Sequence, residues 1–165
     1  MVDTDNIAVT LRRLVDRADI EDLLCRYARA CDTKDWELYR TVFTAEAEID
    51  YTKAYGIRGP VAEVSRWMAK LITPDYVPKT QHMLANVEIT VDGDSGRAHA
   101  YYINPDVRSD GRGGCGLLLN GGYYTATVCR TADGWRIARL AAEVVFSHAG
   151  ELEQAQIRNV ERESS

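Results

Sequence analysis

Ile20-Glu21-Asp22-Leu23-Leu24-Cys25-Arg26-Tyr27-Ala28-Arg29-Ala30-Cys31-Asp32 carries its apolar residues at Ile20, Leu23, Leu24, Tyr27, Ala28 and Cys31. These intervals trace one stripe along an α-helix, where positions three and four apart share a face. Arg17, Glu21, Asp22, Arg26 and Arg29 fall on the other side. The spacing predicts an amphipathic helix from Asp16 to Cys31 with one face against a core. After it, Trp36, Leu38, Tyr39, Val42 and Phe43 supply apolar surface for a short helix over Asp35–Phe43. Asp35 is placed to cap that helix or to meet its positive end.

Beyond this point the period changes. In Ala47–Thr52, Ala47, Ile49 and Tyr51 alternate with Glu48 and Asp50, the two-residue repeat of a strand. Gly56 and Gly59-Pro60 punctuate it, and Val61–Ile72 returns to helix, opened by Pro60 and closed before Pro74. The second half is rich in Val, Ile, Tyr and Thr and reads as four strands: Gln81–Val91, Arg97–Asn104, Leu117–Thr131 and Trp135–Phe146. Compact turns at Asp92–Gly96 and Ala132–Gly134 and a glycine-rich loop at Ser109–Gly116 separate them. Gly121-Gly122, inside the third of these strands, marks a bulge or sharp bend. Helices first and hairpin-linked antiparallel strands last define the α+β class. A strongly bent sheet closed by helices leaves a hollow, the expected ligand site.

A chain of 165 residues is long enough for one domain with a sizeable core. A net charge of −5 gives it no electrostatic reason to bind nucleic acid or an anionic membrane. No apolar run approaches the ~20 residues of a membrane span. Met1–Asn6 lacks the basic and apolar regions of a secretion signal, so a cytosolic location is expected. Cys25, Cys31, Cys115 and Cys129 form no C-x-x-C pair and are expected to be reduced and packed as small hydrophobes. His82, His99 and His148 have no metal-ligand spacing. Neither a phosphate-loop pattern nor a G-x-S-x-G elbow occurs.

Three side chains stand out as candidates for chemistry. His82 opens a strand, and strict alternation puts His82, Leu84, Asn86 and Glu88 on one face, with Met83, Ala85, Val87 and Ile89 on the other. His and Asn on one face suit a pocket wall; a surface histidine is the plain alternative. Asp32 ends the first long helix, where a carboxylate meets the negative end of the dipole. A histidine partner would account for it, as would a simple turn residue. Tyr27 lies in the apolar stripe, as a core tyrosine or as a phenol that donates into the pocket. Tyr51, Tyr101, Tyr102, Tyr123 and Tyr124 are strand aromatics that alternation alone does not sort, one or more of them expected to line the same cavity; Tyr51, Asn86, Tyr102 and Phe146 are the candidate substrate contacts.

Taken together, Ile20–Asp32 with Trp36, Thr80-Gln81-His82-Met83-Leu84-Ala85-Asn86, and Asp133-Gly134-Trp135-Arg136-Ile137 resemble the SnoaL-like members of the nuclear-transport-factor-2-like superfamily. That group includes scytalone dehydratase, bile-acid 7α-dehydratase, ketosteroid isomerase, polyketide cyclases and the β subunits of ring-hydroxylating dioxygenases. The resemblance implies a cone-shaped α+β barrel with its sheet wrapped around N-terminal helices. The resemblance covers roughly residues 8–150 and implies one domain over 1–150, with a charged tail at 151–165 that frays or forms a surface helix.

Within the dehydratase branch, a tyrosine, an aspartate five residues later and a strand-opening histidine form the site. Here these match Tyr27, Asp32 and His82, and Tyr51 looks like a further pocket tyrosine. His99 and His148 are both open as a second histidine. The resemblance implies a cofactor-free dehydratase acting on a small apolar cyclic substrate, a hydroxylated ketone of steroid or polyketide type. An isomerase or cyclase using the same pocket, or a non-catalytic subunit, are the competing readings. A homodimer or homotrimer is expected, joined through an outward apolar sheet face that includes Val87, Ile89 and Val91.

Overall fold

The computed structural model describes residues 4–109, 111 and 114–152. Its elements are α1 (Thr4–Thr33), α2 (Trp36–Thr41), β1 (Phe43–Lys53), β2 (Arg58–Pro60), α3 (Val61–Leu71), β3 (Lys79–Thr80), β4 (Met83–Asp92), β5 (Ser95–Ser109), β6 (Cys115–Thr131) and β7 (Gly134–Leu152). The α+β order read from the sequence is observed, with two short strands added, β2 where Gly59-Pro60 was read as punctuation and β3 ahead of β4. Glu151 and Leu152 of the expected tail extend β7; the rest of that tail lies outside the described residues.

The predicted stripe of α1 is buried throughout, from Ile20 to Cys31. The helix itself starts far earlier, at Thr4, and its first turns leave Ile7, Val9, Leu11 and Leu14 exposed. It ends where Lys34 adopts a left-handed backbone (φ 57) and the Asp35 N–H returns to the Ala30 carbonyl. Asp35 then caps α2, its Oδ1 accepting from the Leu38 N–H at 2.8 Å.

The strands form one open, curved sheet in the order β2-β1-β7-β6-β5-β3, with β4 also paired to β5. Two expectations change here. The sheet is mixed, because β1 runs parallel to β7, while the other neighbours are antiparallel. It also ends in the short edges β2 and β3 rather than closing into a barrel. Ile137, Leu140, Val128, Ala126 and Ile49 from the sheet meet Ile20, Leu23 and Tyr27 of α1 in a single core. The C-terminal arms of β5 and β7 and the N-terminal arm of β6 run past the end of that core.

Two of the sheet's register shifts bear on the site. Opposite Gly121-Gly122, β7 gains an extra residue: Gly121 faces Phe146 and Gly122 faces Val144. A Cβ on Gly122 would collide with the Glu143 carbonyl, and one on Gly121 with the Phe146 ring. The glycine pair is required by close approach, as its place in the strand suggested. The second bulge lies in β4. Ala85 faces Tyr101 and Glu88 faces His99, so Asn86 and Val87 share one partner, and Asn86 sits at φ 48.

That bulge reverses the strand's faces. Val87, Ile89 and Val91 turn inward onto the core, which overturns their expected place on an outer apolar face. Asn86 turns outward. Met83, Tyr101, Ile103, Val145 and Phe146 are the exposed apolar side chains on that side. Among the described residues, no helix is long and apolar enough to cross a membrane. Cys31 is buried, but Cys25 is exposed, so the small-hydrophobe expectation fails for Cys25.

Candidate active site

Between the helices and the extended arms of β5–β7 lies a cavity of about 170 Å³. A void of that scale takes a benzene-sized ring. The cavity opens to solvent where the exposed rings of Tyr55 and Tyr76 stand at its rim. A molecule larger than one or two rings must therefore emerge past that rim.

His82 lines this cavity and Asp32 stands behind it. The Nδ1 of His82 is 2.6 Å from Asp32 Oδ1. The same carboxylate accepts the His82 backbone N–H, at 2.9 Å to Oδ1 and 3.1 Å to Oδ2. Asp32 is thus bonded to the histidine twice over, through ring and main chain, which fixes where the ring begins and how it turns. The His82 side chain is 8% exposed and that of Asp32 24%. With Nδ1 held by the carboxylate, Nε2 is the nitrogen left for chemistry, and it carries the lone pair when the ring is neutral. The dipole penalty read at the end of α1 has its compensation here: the carboxylate leaves the helix axis for a partner fifty positions on.

The deep end of the cavity is phenolic. Tyr27, Tyr51 and Tyr124 all line it. The Tyr51 hydroxyl is 2.8 Å from that of Tyr27 and 2.9 Å from that of Tyr39, a continuous chain of three. Burial pushes the Tyr27, Tyr51 and Tyr124 phenols well above their ordinary value. They therefore stay protonated at neutral pH and are available as donors. Tyr102 stacks on Tyr124, with centroids 4.5 Å apart, and its phenol is pushed up to about 12, chiefly by burial.

The sequence-predicted residues divide between the two sides of the sheet, with Tyr102 bordering the hollow on each. His82, Tyr27, Tyr51 and Tyr102 line the cavity, with Asp32 bonded to its histidine. Asn86 and Phe146 do not. They border a shallow groove on the opposite side of the sheet, with Met83, Tyr101 and Tyr123. The β4 bulge moves Asn86 there, and the β7 bulge moves Phe146. Neither further histidine lines the cavity. His99 sits on the outer face against Tyr123 and Thr125, and His148 is exposed opposite Leu119 in β7.

A charged rim escaped the sequence reading. β5 was expected to stop at Asn104, but it continues through Pro105 to Ser109. Its alternation therefore delivers Tyr102, Asn104, Asp106 and Arg108 to the cavity in turn. The buried Asp106 accepts from Thr80 Oγ1 at 2.6 Å. The signal was present in the two-residue repeat of polar side chains across the proline.

Comparison with known proteins agrees with this architecture. A model of the SnoaL-like domain matches residues 12–141. The chain belongs to the SnoaL-like domain family. An uncharacterized relative, Rv2910c from Mycobacterium tuberculosis, is 33% identical over 135 residues, covering 82% of this chain and 89% of that protein. Among solved structures, a hexachlorocyclohexane dehydrochlorinase, LinA type 2, superposes with a TM-score of 0.73 at 19% identity, over 87% of this chain and 93% of that one. A candidate scytalone dehydratase from Novosphingobium aromaticivorans gives 0.71 at 18%, over 84% and 90%. At such identities these structures establish the shared fold of this SnoaL-like chain and nothing about its substrate.

Proposed function

We propose that this protein is a cofactor-independent hydro-lyase, which removes water from a hydroxylated cyclic ketone bound in the cavity. The observation that supports it most is the His82 Nδ1–Asp32 Oδ1 pair at 2.6 Å, with the histidine on the cavity wall and the carboxylate behind it. A carboxylate so placed holds the imidazole in one tautomer and stabilises the imidazolium that forms when Nε2 takes a proton. The proton removed is the one beside the ketone. The electron pair left behind moves onto the carbonyl oxygen, where a neutral phenol such as Tyr27 donates a hydrogen bond to the enolate. Collapse of the enolate expels the β-hydroxyl. The imidazolium returns its proton to that hydroxyl on the same face, and water leaves. Proton and charge balance without any added group, and each acid–base role of this kind contributes about 10²–10⁴-fold.

The two solved structures above are described by eliminations, of hydrogen chloride and of water, which is the same class of reaction. The cavity's size favours a substrate of one or two fused rings over one that buries four. Mass spectrometry of hydroxylated cyclic ketones incubated with the protein tests the reading. We expect loss of water with the wild type and none with His82→Ala. A product of unchanged mass would instead identify an isomerase or cyclase, and full elimination activity in His82→Ala would overturn the mechanism.

A further inference from the structure

The cavity grades from phenolic at its floor to charged at its rim, and one cation at that rim is poorly matched. Arg108 lines the cavity at the end of the inward face of β5. Its nearest carboxylate oxygen, Asp106 Oδ2, is 3.7 Å from Nη2, too far for a hydrogen bond. The other oxygen of Asp106 is already committed to Thr80. Arg108 Nε is buried with no hydrogen-bond partner among the described residues. The ring of Tyr76 lies 5.8 Å from the guanidinium carbon. That placement is firm on the backbone side, where the Ser109 N–H donates to the Tyr76 carbonyl at 2.9 Å.

The Arg108 side chain is 41% exposed, so water serves the outer guanidinium donors, while the buried Nε is a donor left without a partner, which is costly, and no anion is hydrogen-bonded to the charge. The surroundings add to this. Lys34, at the end of α1, lies within electrostatic reach of Asp32, Asp106 and Lys79. Asp106, which lines the cavity beside Arg108, is thus shared between Thr80, Lys34 and Arg108.

We propose that Arg108 makes the rim a binding site for an anionic arm of the substrate, a carboxylate carried on the ring system that the cavity holds. This rests on the cyclic-ketone reading above for the buried part of the molecule, and adds the charge of the part that emerges. The guanidinium reorients onto the arriving carboxylate, which satisfies donors that Asp106 leaves idle. Asp106, tied to Thr80, stays as the wall that keeps the arm on the outer side.

The test uses naphthalene-2-carboxylate and its methyl ester, two probes of equal ring size that differ in charge, titrated calorimetrically into the full chain. We expect the wild type to bind the acid roughly tenfold tighter than the ester, the size of one charge-assisted pairing. Arg108→Gln should remove that preference and leave ester affinity unchanged, with Arg108→Lys in between. Because the ester reports on the rest of the cavity, its unchanged affinity shows that the variant is folded. Equal binding of acid and ester by the wild type, a preference that persists in Arg108→Gln, or no binding of either probe would each overturn the proposal. Retained acid preference alongside no turnover of any ketone would sink the hydro-lyase reading and leave the anionic site standing.

Discussion

Two aspartates on one helix do opposite work. Asp16 and Asp32 both leave α1 toward the sheet, and each takes a basic partner at 2.6 Å. Asp16 meets Arg130 Nη2, with Trp135 Nε1 at 3.4 Å and Arg12 Nε at 3.6 Å. Arg130 in turn binds Asp94 at 2.9 Å and lies over the Trp135 ring, 4.5 Å from its centroid. The donors that meet Asp16 are two guanidinium groups and an indole N–H, none of them suited to exchange a proton with a substrate, and none of them lines the cavity. Such a cluster can hold α1 to the β4–β5 and β6–β7 turns, and can do nothing else. Asp32 has a partner that can take and give a proton, and that partner faces the cavity. A buried carboxylate thus becomes useful for chemistry through its partner's proton affinity and the partner's access to a substrate.

Substitutions at the two sites should separate the two kinds of work. The largest effect belongs to Asp32→Asn. The amide keeps the shape but no longer stabilises an imidazolium, so turnover should fall by about 10²–10⁴-fold with the thermal midpoint shifted by only a few degrees. A fall of less than tenfold in steady-state assays would remove the distinction.

Asp16→Ala should show the reverse. Loss of one member of a buried ion pair costs about 3 kcal/mol, read by urea denaturation, while activity per folded molecule is unchanged. The same variant carries a pH signature. Burial alone would raise the Asp16 carboxyl, but the hydrogen bonds from Arg130 and Trp135 and the nearby charges outweigh it and hold it below its usual value. A carboxylate with a lowered folded pKa adds stability that is complete above the unfolded value, about pH 4, and fades as pH falls through the folded one. Denaturation midpoints between pH 5 and 2.5 should therefore fall less steeply in Asp16→Ala than in the wild type.

The smallest effect is expected at Asn86→Ala, outside both clusters. It places a Cβ-bearing residue without a local hydrogen-bonding side chain at φ 48, which costs about 1 kcal/mol. Its kcat/KM should match the wild type; a drop of tenfold or more would restore Asn86 to the reaction.

Much of this was legible beforehand, and the parts that were not share a cause. The stripe of α1, the cap at Asp35 and the glycine pair of β6 that faces the β7 bulge all follow from intervals of a few residues, where backbone geometry dictates which positions share a face; His82 was expected to open a strand and lies one residue ahead of β4. The α1 cluster at Asp16 was invisible because Arg130 lies 114 positions away. The β4 bulge was missed although its sign was present: an Asn and a Glu on the face assigned inward, with Val and Ile on the other. A single extra residue in a strand reverses every later side chain, so the outward role given to Val87, Ile89 and Val91 failed as a group. The charged rim was missed because the strand was expected to end at Asn104, short of Asp106 and Arg108.

By itself, then, the sequence determined the element order, the apolar faces and the residue types able to move a proton, because each depends on local periodicity and intrinsic chemistry. Tertiary structure decided that Asp32 meets His82 and not a lysine, that β1 runs parallel to β7, that Asn86 and Phe146 face away from the cavity, and that Arg108 reaches its rim. These are matters of strand register and long-range approach, which are set only when the sheet curves over α1 and each bulge chooses a side.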